Sequence, residues 1–154
     1  KTRVGYDICA LVDVLEDFLG FSRVDGAFLV GAGSLGSALL QDKGLSAFGL
    51  QIEAAFDTDK TKIGTKVNDI EIFHIDQFRA MAAERKVVIG IITVPAEHAQ
   101  NVADLMVAWG IKAIWNFTPA RIKVPTHIVV QNTTIYMNLA ILFNKLYNDK
   151  GEKK

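Results

Sequence analysis

The feature that most constrains the fold is a glycine-rich turn between an apolar run and a helix-forming segment. Residues 27–30 are apolar, Gly31, Gly33 and Gly36 follow in the spacing Gly-x-Gly-x-x-Gly, and residues 38–40 resume an apolar pattern. A glycine turn between a strand and a helix lets backbone amides and the positive end of the helix dipole approach a diphosphate. The sequence therefore predicts a dinucleotide-binding turn made of Gly31, Ala32, Gly33, Ser34, Leu35 and Gly36.

An acidic residue closes the next predicted strand. The run Leu50–Phe56 stops at Asp57, which lies about twenty residues beyond the last glycine, as is typical of dinucleotide sites. A carboxylate there hydrogen-bonds the hydroxyls of an adenosine ribose and repels a 2′-phosphate, so NAD(H) is favoured over NADP(H). A tight turn followed by an incidental acid is the alternative. The ordered series of strand, glycines, helix, strand and acid favours the dinucleotide site.

Apolar runs and helical patterns alternate along the rest of the chain. Strands are predicted at Ile70–Phe73, Val87–Thr93, Ile111–Trp115 and Ile128–Val130, and helices over Ile75–Glu84 and from Pro95 to Gly110. The strands are continuously apolar, which indicates a sheet covered on both faces. We therefore predict an α/β fold, a doubly wound parallel sheet of the Rossmann NAD(P)-binding type, followed by a C-terminal helix that a dimer could exchange between subunits.

Two later strands end beside the same predicted crevice. One is followed by Thr93, Val94 and Pro95, and the next by Asn116, Phe117 and Thr118. In a doubly wound sheet these ends lie across from the glycine turn, so the six residues are candidate contacts for a ribose or a nicotinamide. Ordinary turn chemistry explains both segments equally well.

The composition indicates which binding partners and which cellular compartment suit the chain. The 17 basic and 17 acidic side chains give a net charge of zero, which is unlike a chain that binds nucleic acid by itself. The single cysteine, Cys9, excludes a disulfide within the chain, argues against a metal site, and is expected to be buried in a helix. A reducing, cytoplasmic location fits a chain with a single cysteine. No apolar run approaches the roughly 20 residues of a membrane span. The chain begins at Lys1 and is expected to be cut from something longer.

Few residues in the sequence support a catalytic function. None of His74, His98 and His127 has metal-ligand spacing or a nucleophile partner, and only His98 is placed near the crevice as an acid–base group. Nearly all residues are used by the sheet and its helices, which leaves no room for a substrate domain. We therefore predict a sensor or binding module without catalytic residues. A small NAD(H)-dependent oxidoreductase using His98 and a CoA- or nucleotide-binding module remain as alternatives.

A helix is predicted at each end of the chain. Asp7 is a predicted N-cap for a helix that ends at Gly20 and lies against a core. The last helix, Thr133–Tyr147, is apolar around nearly its whole circumference, and leaving such side chains in water is costly. We predict a homodimer interface formed by Ile135, Leu139, Leu142, Phe143 and Leu146, with a sheet-covering internal helix as the alternative. The expected units are an entry segment with the N-terminal helix (1–22), a Rossmann dinucleotide-binding domain (23–131), and a C-terminal dimerisation helix with its tail (132–154).

Several longer strings carry a family resemblance. They are Arg3–Tyr6, the glycine motif, Ala55–Asp59 with Lys62–Gly64, Thr93–Ala96, and Asn116–Arg121 followed by Val124–Pro125. On these strings the sequence resembles the cofactor-binding and dimerisation part of the Rex family of bacterial redox-sensing transcriptional repressors. The resemblance implies a homodimer that binds NADH and NAD⁺, responds to their ratio and exchanges its last helix. It also implies a winged-helix DNA-binding domain ahead of Lys1, which this chain does not include.

The chain departs from this family at three positions. Asp42 replaces a typical tyrosine, Thr134 an aspartate and Asn138 a glutamate. In the family the tyrosine and aspartate help to distinguish the two redox states, so these departures bear on switching more than on binding. An apolar pocket around Phe117 and the last helix would itself disfavour the cationic ring of NAD⁺ relative to the neutral ring of NADH, because burying a charge forfeits its hydration.

Overall fold

The strands of the computed structural model form one sheet. The structure describes residues 7–20 and 23–148. The strands within them are β1 (Asp25–Val30), β2 (Leu50–Asp57), β3 (Lys66–Val67), β4 (Ile70–His74), β5 (Ile89–Ile92), β6 (Ala113–Asn116) and β7 (Val129–Asn132). The helices are α1 (Ile8–Phe18), α2 (Ser34–Gln41), α3 (Gly44–Ala47), α4 (Phe78–Arg85), α5 (Ala99–Ala108) and α6 (Ile135–Asn148). Short 3₁₀ turns over Ile75–Gln77 and Ala96–His98 lead into α4 and α5.

The strand order is that of a doubly wound sheet. It runs β3-β4-β2-β1-β5-β6-β7, and every neighbouring pair is parallel except β3 with β4. The chain therefore winds outward from β1 through β2 to β4, and then crosses back to place β5 beside β1. This reversal opens a crevice at the carboxyl ends of β1 and β5. The predicted fold is confirmed.

Both faces of the sheet are buried, as the continuous apolar strands predicted. Along β1, Phe28 and Val30 enter one hydrophobic cluster, while Ala27 and Leu29 enter the other. The first cluster includes the rings of Phe28, Phe56 and Phe78, whose centroids lie 4.9–5.4 Å apart. Each fully buried phenylalanine contributes roughly 1.5–3 kcal/mol by leaving water. The crevice is thus carried by a rigid, two-sided core.

Some element boundaries differ from the predictions. The hairpin between β3 and β4 was not predicted; its turn residues Asn68 and Asp69 have φ of 49° and 66°, and strand β3 is too short to show a period. The predicted strand Val87–Thr93 is shorter, Ile89–Ile92, and Val87 is buried in the core without joining the strand. The predicted last helix begins two residues later than Thr133, at Ile135.

Helix α1 forms as predicted but does not lie against a core. The Asp7 carboxylate accepts hydrogen bonds from the amides of Cys9 and Ala10, and the chain leaves the helix at Gly20 with φ of 80°. None of the residues of α1 is buried, and Phe18 is 84% exposed. Cys9 is exposed as well, so its predicted burial is wrong. The physical reason is that packing within residues 7–20 and 23–148 leaves the large apolar side chains of α1 45–84% exposed.

Helix α6 also presents apolar side chains to solvent. Five of them are 42–58% exposed: Leu139, Ile141, Leu142, Phe143 and Leu146. The alternative of an internal sheet-covering helix therefore does not describe this part of α6. The predicted interface residue Ile135 and the departure at Asn138 have side chains outside the described set, as does the string Arg3–Tyr6. No helix in the described ranges is long and apolar enough to cross a bilayer.

Candidate functional site

The glycine turn joins β1 to α2 at the bottom of the crevice. Gly31 has φ of 104°, and a Cβ there would lie 2.8 Å from the carbonyl carbon of Thr93 and the amide nitrogen of Val94. A Cβ on Gly36 would collide with the carbonyl oxygen of Gly31. These two glycines are therefore required for the close approach of β1, α2 and the end of β5.

Gly33 has a different environment. It is the N-cap residue of α2, no side chain caps the helix there, and nothing lies within 4 Å of where its Cβ would be. The start of α2, including Ser34 and Leu35, therefore faces open space with its first backbone amides free of a side-chain cap. An anion of phosphate size fits this arrangement, because helix N-termini bind anions through such amides.

Asp57 is fixed beside the glycine turn. Its Oδ2 accepts a hydrogen bond from the amide of Ala32 at 2.9 Å, and its Oδ1 accepts from the amides of Thr58 and Asp59 at 2.7 and 2.9 Å. The ammonium of Lys62 lies 3.5 Å from Oδ2, and the Asp57 side chain is only 14% exposed. The carboxylate is therefore oriented by backbone donors before any ligand arrives.

The loop after Asp57 has its own hydrogen-bond network. The Asp59 carboxylate accepts from both the hydroxyl and the amide of Thr61, at 2.7 and 2.9 Å, and lies 3.8 Å from the Lys62 ammonium. These contacts, led by the Thr61 hydroxyl, lower the pKa of Asp59. Lys62 thus bridges two carboxylates at the edge of the crevice.

Two adjoining cavities occupy the crevice. The first, here the Asp57 cavity, has a volume of about 540 Å³ and is lined on one side by Gly31, Gly33, Asp57 and Lys62. The second, here the Phe117 cavity, has a volume of about 420 Å³ and is lined by Leu35, Ala96, Phe117, Thr118 and Pro119. Both are bordered by Thr93, Val94 and Pro95. The structure thus brings the predicted residues of the glycine turn, β5 and β6 to one crevice.

Thr93, at the end of β5, forms hydrogen bonds to the end of β1 and to the glycine turn. Its Oγ1 lies 2.7 Å from the carbonyl oxygen of Gly31 and 3.1 Å from that of Val30, so the hydroxyl donates into the glycine turn. Its amide also donates to the Val30 carbonyl, at 2.9 Å. The hydroxyl proton, which the sequence suggested for a ribose or nicotinamide, is therefore used to hold the turn.

Asn116 is the centre of a buried polar network. Its Nδ2 donates to the carbonyl of Ala120 and to Oδ1 of Asn132, both at 2.9 Å, and its Oδ1 accepts from the amide and hydroxyl of Thr118 at 3.0 and 2.8 Å. Asn116 is fully buried. Its side chain therefore shapes the turn that carries Phe117, and it does not reach the cavity with a free polar atom.

His98 lies at the Asp57 cavity and is not among the residues that line the Phe117 cavity. Sequence reasoning also missed Lys62, Ile75, Asn101, Val102 and Leu105 as residues of the crevice. Helical spacing marked Val102 and Leu105 as apolar, but only the fold shows that they face the cavity. Among the described residues, no group of His, Cys, Asp or Glu is placed to hold a metal ion.

A larger cavity of about 750 Å³ lies elsewhere. It includes Leu50 and Ile70, the first residues of β2 and β4, so it is at the opposite end of the sheet from the glycine turn. Its rim mixes acidic and basic side chains, and none of the predicted site residues lines it. The crevice at the glycine turn is the better candidate site because free amides and a fixed carboxylate converge there.

Comparison with known proteins identifies similar sequences and structures. A family model described as a CoA binding domain matches residues 25–120. The redox-sensing transcriptional repressor Rex of Bacteroides thetaiotaomicron is 58% identical over 146 residues, covering 95% of this chain and 66% of that protein. The chain thus spans about two thirds of that relative's length.

Three solved structures of RSP, a Rex-family repressor, superpose on nearly all of the chain at 30% sequence identity. The complex with β-NADH has a TM-score of 0.88 and covers 96% of this chain and 72% of that one. The complex with β-NAD⁺ and operator DNA has a TM-score of 0.89 and covers 100% of this chain and 74% of that one.

Proposed function

Because the chain belongs to the Rex family of redox-sensing transcriptional repressors, we propose that it binds NADH and NAD⁺ in the crevice and acts as the sensing part of a repressor. The observation that carries this proposal is the open, uncapped start of α2 at Gly33, next to the backbone-oriented carboxylate of Asp57. The two groups place an anion site beside a hydrogen-bond acceptor, as the pyrophosphate and ribose of a dinucleotide require.

The two cavities match the two halves of the cofactor. The pyrophosphate would lie over the amides of residues 31–36, and the adenosine ribose would bind Asp57, with adenine in the Asp57 cavity. The nicotinamide would lie in the Phe117 cavity, between the end of β5 and the turn held by Asn116. The cofactor-binding set we propose is Gly31, Ala32, Gly33, Ser34, Leu35, Gly36, Asp57, Thr93, Val94, Pro95, Phe117 and Thr118, with Asn116 acting through the turn that it holds.

Sensing needs a difference in affinity and no hydride transfer by this chain. Bound nicotinamide dinucleotide supplies a cationic ring when oxidised and a neutral ring when reduced. Phe117 and the apolar side chains around it offer the cation little that replaces water, so the Phe117 cavity favours the neutral form. The catalytic alternative is disfavoured because His98 lies at the Asp57 cavity, where adenine would bind.

CoA is the second candidate ligand, and the family model over residues 25–120 favours it. CoA carries a phosphate on the 3′ hydroxyl of its ribose, where NADH carries none. The carboxylate of Asp57 would repel that phosphate, and Lys62, at 3.5 Å, offsets the repulsion only in part. The residues at the ribose position therefore support NAD(H) over CoA.

The exposed helices support a larger assembly. We propose that α6 pairs with α6 of a second copy through Leu139, Leu142, Phe143 and Leu146, with Ile135 in the same interface. The remaining third of the Rex relatives would supply a winged-helix domain that binds DNA and covers the apolar face of α1. In this proposal the units are 1–22, 23–131 and 132–154, and the repressor acts in the cytoplasm.

Separate titrations of the chain with NADH, NAD⁺, NADPH and CoA test the proposal. We expect saturable binding of one NADH per chain, weaker binding of NAD⁺, and no comparable binding of NADPH or CoA. Asp57→Ala should weaken NADH binding by about tenfold or more, since a hydrogen bond to a charged group is lost. The matched control is Asp59→Asn in the same loop, which should bind NADH as the native chain does. Selective CoA binding, or unchanged NADH affinity in Asp57→Ala, would overturn it.

A further inference from the structure

A tryptophan links the Phe117 cavity to the start of α6. The indole Nε1 of Trp115 donates a hydrogen bond to Oγ1 of Thr133 at 2.9 Å, in a partly buried setting. The rings of Trp115 and Phe117 are in contact, with centroids 4.6 Å apart. Phe117 is on the wall of the cavity, and Thr133 is two residues before α6 begins at Ile135. Two side-chain contacts therefore connect the proposed nicotinamide site with the proposed dimer helix.

The backbone around this pair is held by the sheet. Asn116 and Asn132 are paired residues of β6 and β7, and the amide of Thr133 donates to the Asn116 carbonyl at 2.9 Å. The amide of Phe117 donates to the carbonyl of Ile92 at 3.0 Å. Because these main-chain bonds restrain the strands, a response to a ligand is left to the side chains of Trp115, Phe117 and Thr133.

We propose that Trp115 is a positioning residue that couples occupancy of the Phe117 cavity to the order of α6; this rests on the proposed NAD(H) site. A nicotinamide ring in the cavity restricts the Phe117 ring, and close-packed rings cannot shift independently. The orientation of the Trp115 indole then determines how well its N–H reaches Thr133, because hydrogen bonds weaken steeply when misaligned. NADH thereby favours the conformers in which α6 begins from a fixed Thr133.

Hydrogen–deuterium exchange of backbone amides, with and without NADH, tests this coupling in the complete chain. Trp115→Phe keeps an aromatic ring and removes the indole donor, and Thr133→Val keeps the shape and removes the hydroxyl acceptor. Thr133→Ser restores the hydroxyl. Trp109→Phe is the matched control, because Trp109 packs on Phe78 in the core cluster.

In the native chain, NADH should slow exchange both in residues 31–41 and in α6. In Trp115→Phe and Thr133→Val the slowing in α6 should fall by about two- to tenfold, the range of one net hydrogen bond. The slowing in residues 31–41 and the NADH affinity should stay within about twofold of native. Thr133→Ser and Trp109→Phe should behave as the native chain does.

Two results would overturn the coupling: equal slowing of α6 in the native chain and in both bond-breaking variants, or NADH binding that leaves α6 exchange unchanged in the native chain. A different failure, in which NADH neither binds nor slows residues 31–41 in the native chain, would reject the proposed function and this inference with it. The exchange at residues 31–41 therefore separates the two failures.

Discussion

The Asp57 cavity and the Phe117 cavity are built by different means. On the side of the glycine turn, the first is formed by backbone groups: glycines at the turn, the amides at the start of α2, and one carboxylate oriented by three amides. The second is formed by side chains, with Phe117 held between Trp115 and the network around Asn116. The difference indicates that capture of a dinucleotide and the response to it are carried by separate residues, so that variants should affect one without the other.

The largest expected effect separates two glycines of the same turn. Gly36→Val places a side chain against the carbonyl of Gly31, so the free energy of unfolding should fall by about 3 kcal/mol. Gly33→Ala meets open space and should leave stability within about 0.5 kcal/mol, while NADH affinity falls at least about tenfold because the phosphate approach is filled. Urea unfolding and NADH titration measure the two effects. Native-like NADH affinity in Gly33→Ala would show that the start of α2 does not hold the pyrophosphate.

The dimer helix provides the next test. Leu142 is 58% exposed in the single chain, and Leu142→Glu would place a charge in the proposed interface. The dimer dissociation constant should rise at least about 100-fold, since a buried unpaired charge is costly. NADH affinity should be retained. Sedimentation measures the dimer, and Val24→Glu, which charges an exposed apolar residue outside α6, is the control. A Leu142→Glu chain that dimerises normally would place the interface elsewhere.

The Asn116 network gives a smaller effect on stability. Asn116→Ala leaves buried partners such as the Thr118 amide without their hydrogen bonds, so the free energy of unfolding should fall by about 2 kcal/mol. Gln131→Ala, an exposed amide on the neighbouring strand, should change it by less than about 0.5 kcal/mol. Thermal or urea unfolding compares the two variants. Equal free energies of unfolding for the two variants would mean that the Asn116 network does not stabilise the turn that carries Phe117.

The smallest effect concerns the loop beside Asp57. The pKa of Asp59 is lowered from its ordinary value of 3.8, first by the Thr61 hydroxyl, so its contribution to stability is present above that pH and is lost as pH falls below it. Asp59→Asn should therefore lower the urea midpoint slightly at pH 7, and the difference should shrink as pH falls below 3.8. A difference that persists unchanged at pH 3 would exclude this carboxylate as its source.

The sequence patterns predicted those features of the fold and site that depend on the backbone alone. The strand–glycine–helix order could be predicted because few residues other than glycine permit that turn, and Asp57 could be predicted because it ends the next strand at the expected distance. The buried strands could be predicted from their continuously apolar sequences. The hairpin of β3 and β4 is too short to have a period. Lys62, Trp115 and Thr133 could not be assigned because their partners are distant in sequence or depend on side-chain rotamers. The exposure of α1 was not predicted because the sequence of an apolar helix face does not show which residues pack against it.

A crystal structure of the chain with NADH tests the proposed cofactor site most directly. We expect pyrophosphate oxygens within about 3 Å of the backbone amides at the start of α2, ribose hydroxyls on the Asp57 carboxylate, and the nicotinamide beside Phe117. A reduced dinucleotide bound at another surface, or in this crevice with its ribose turned away from Asp57, would contradict it.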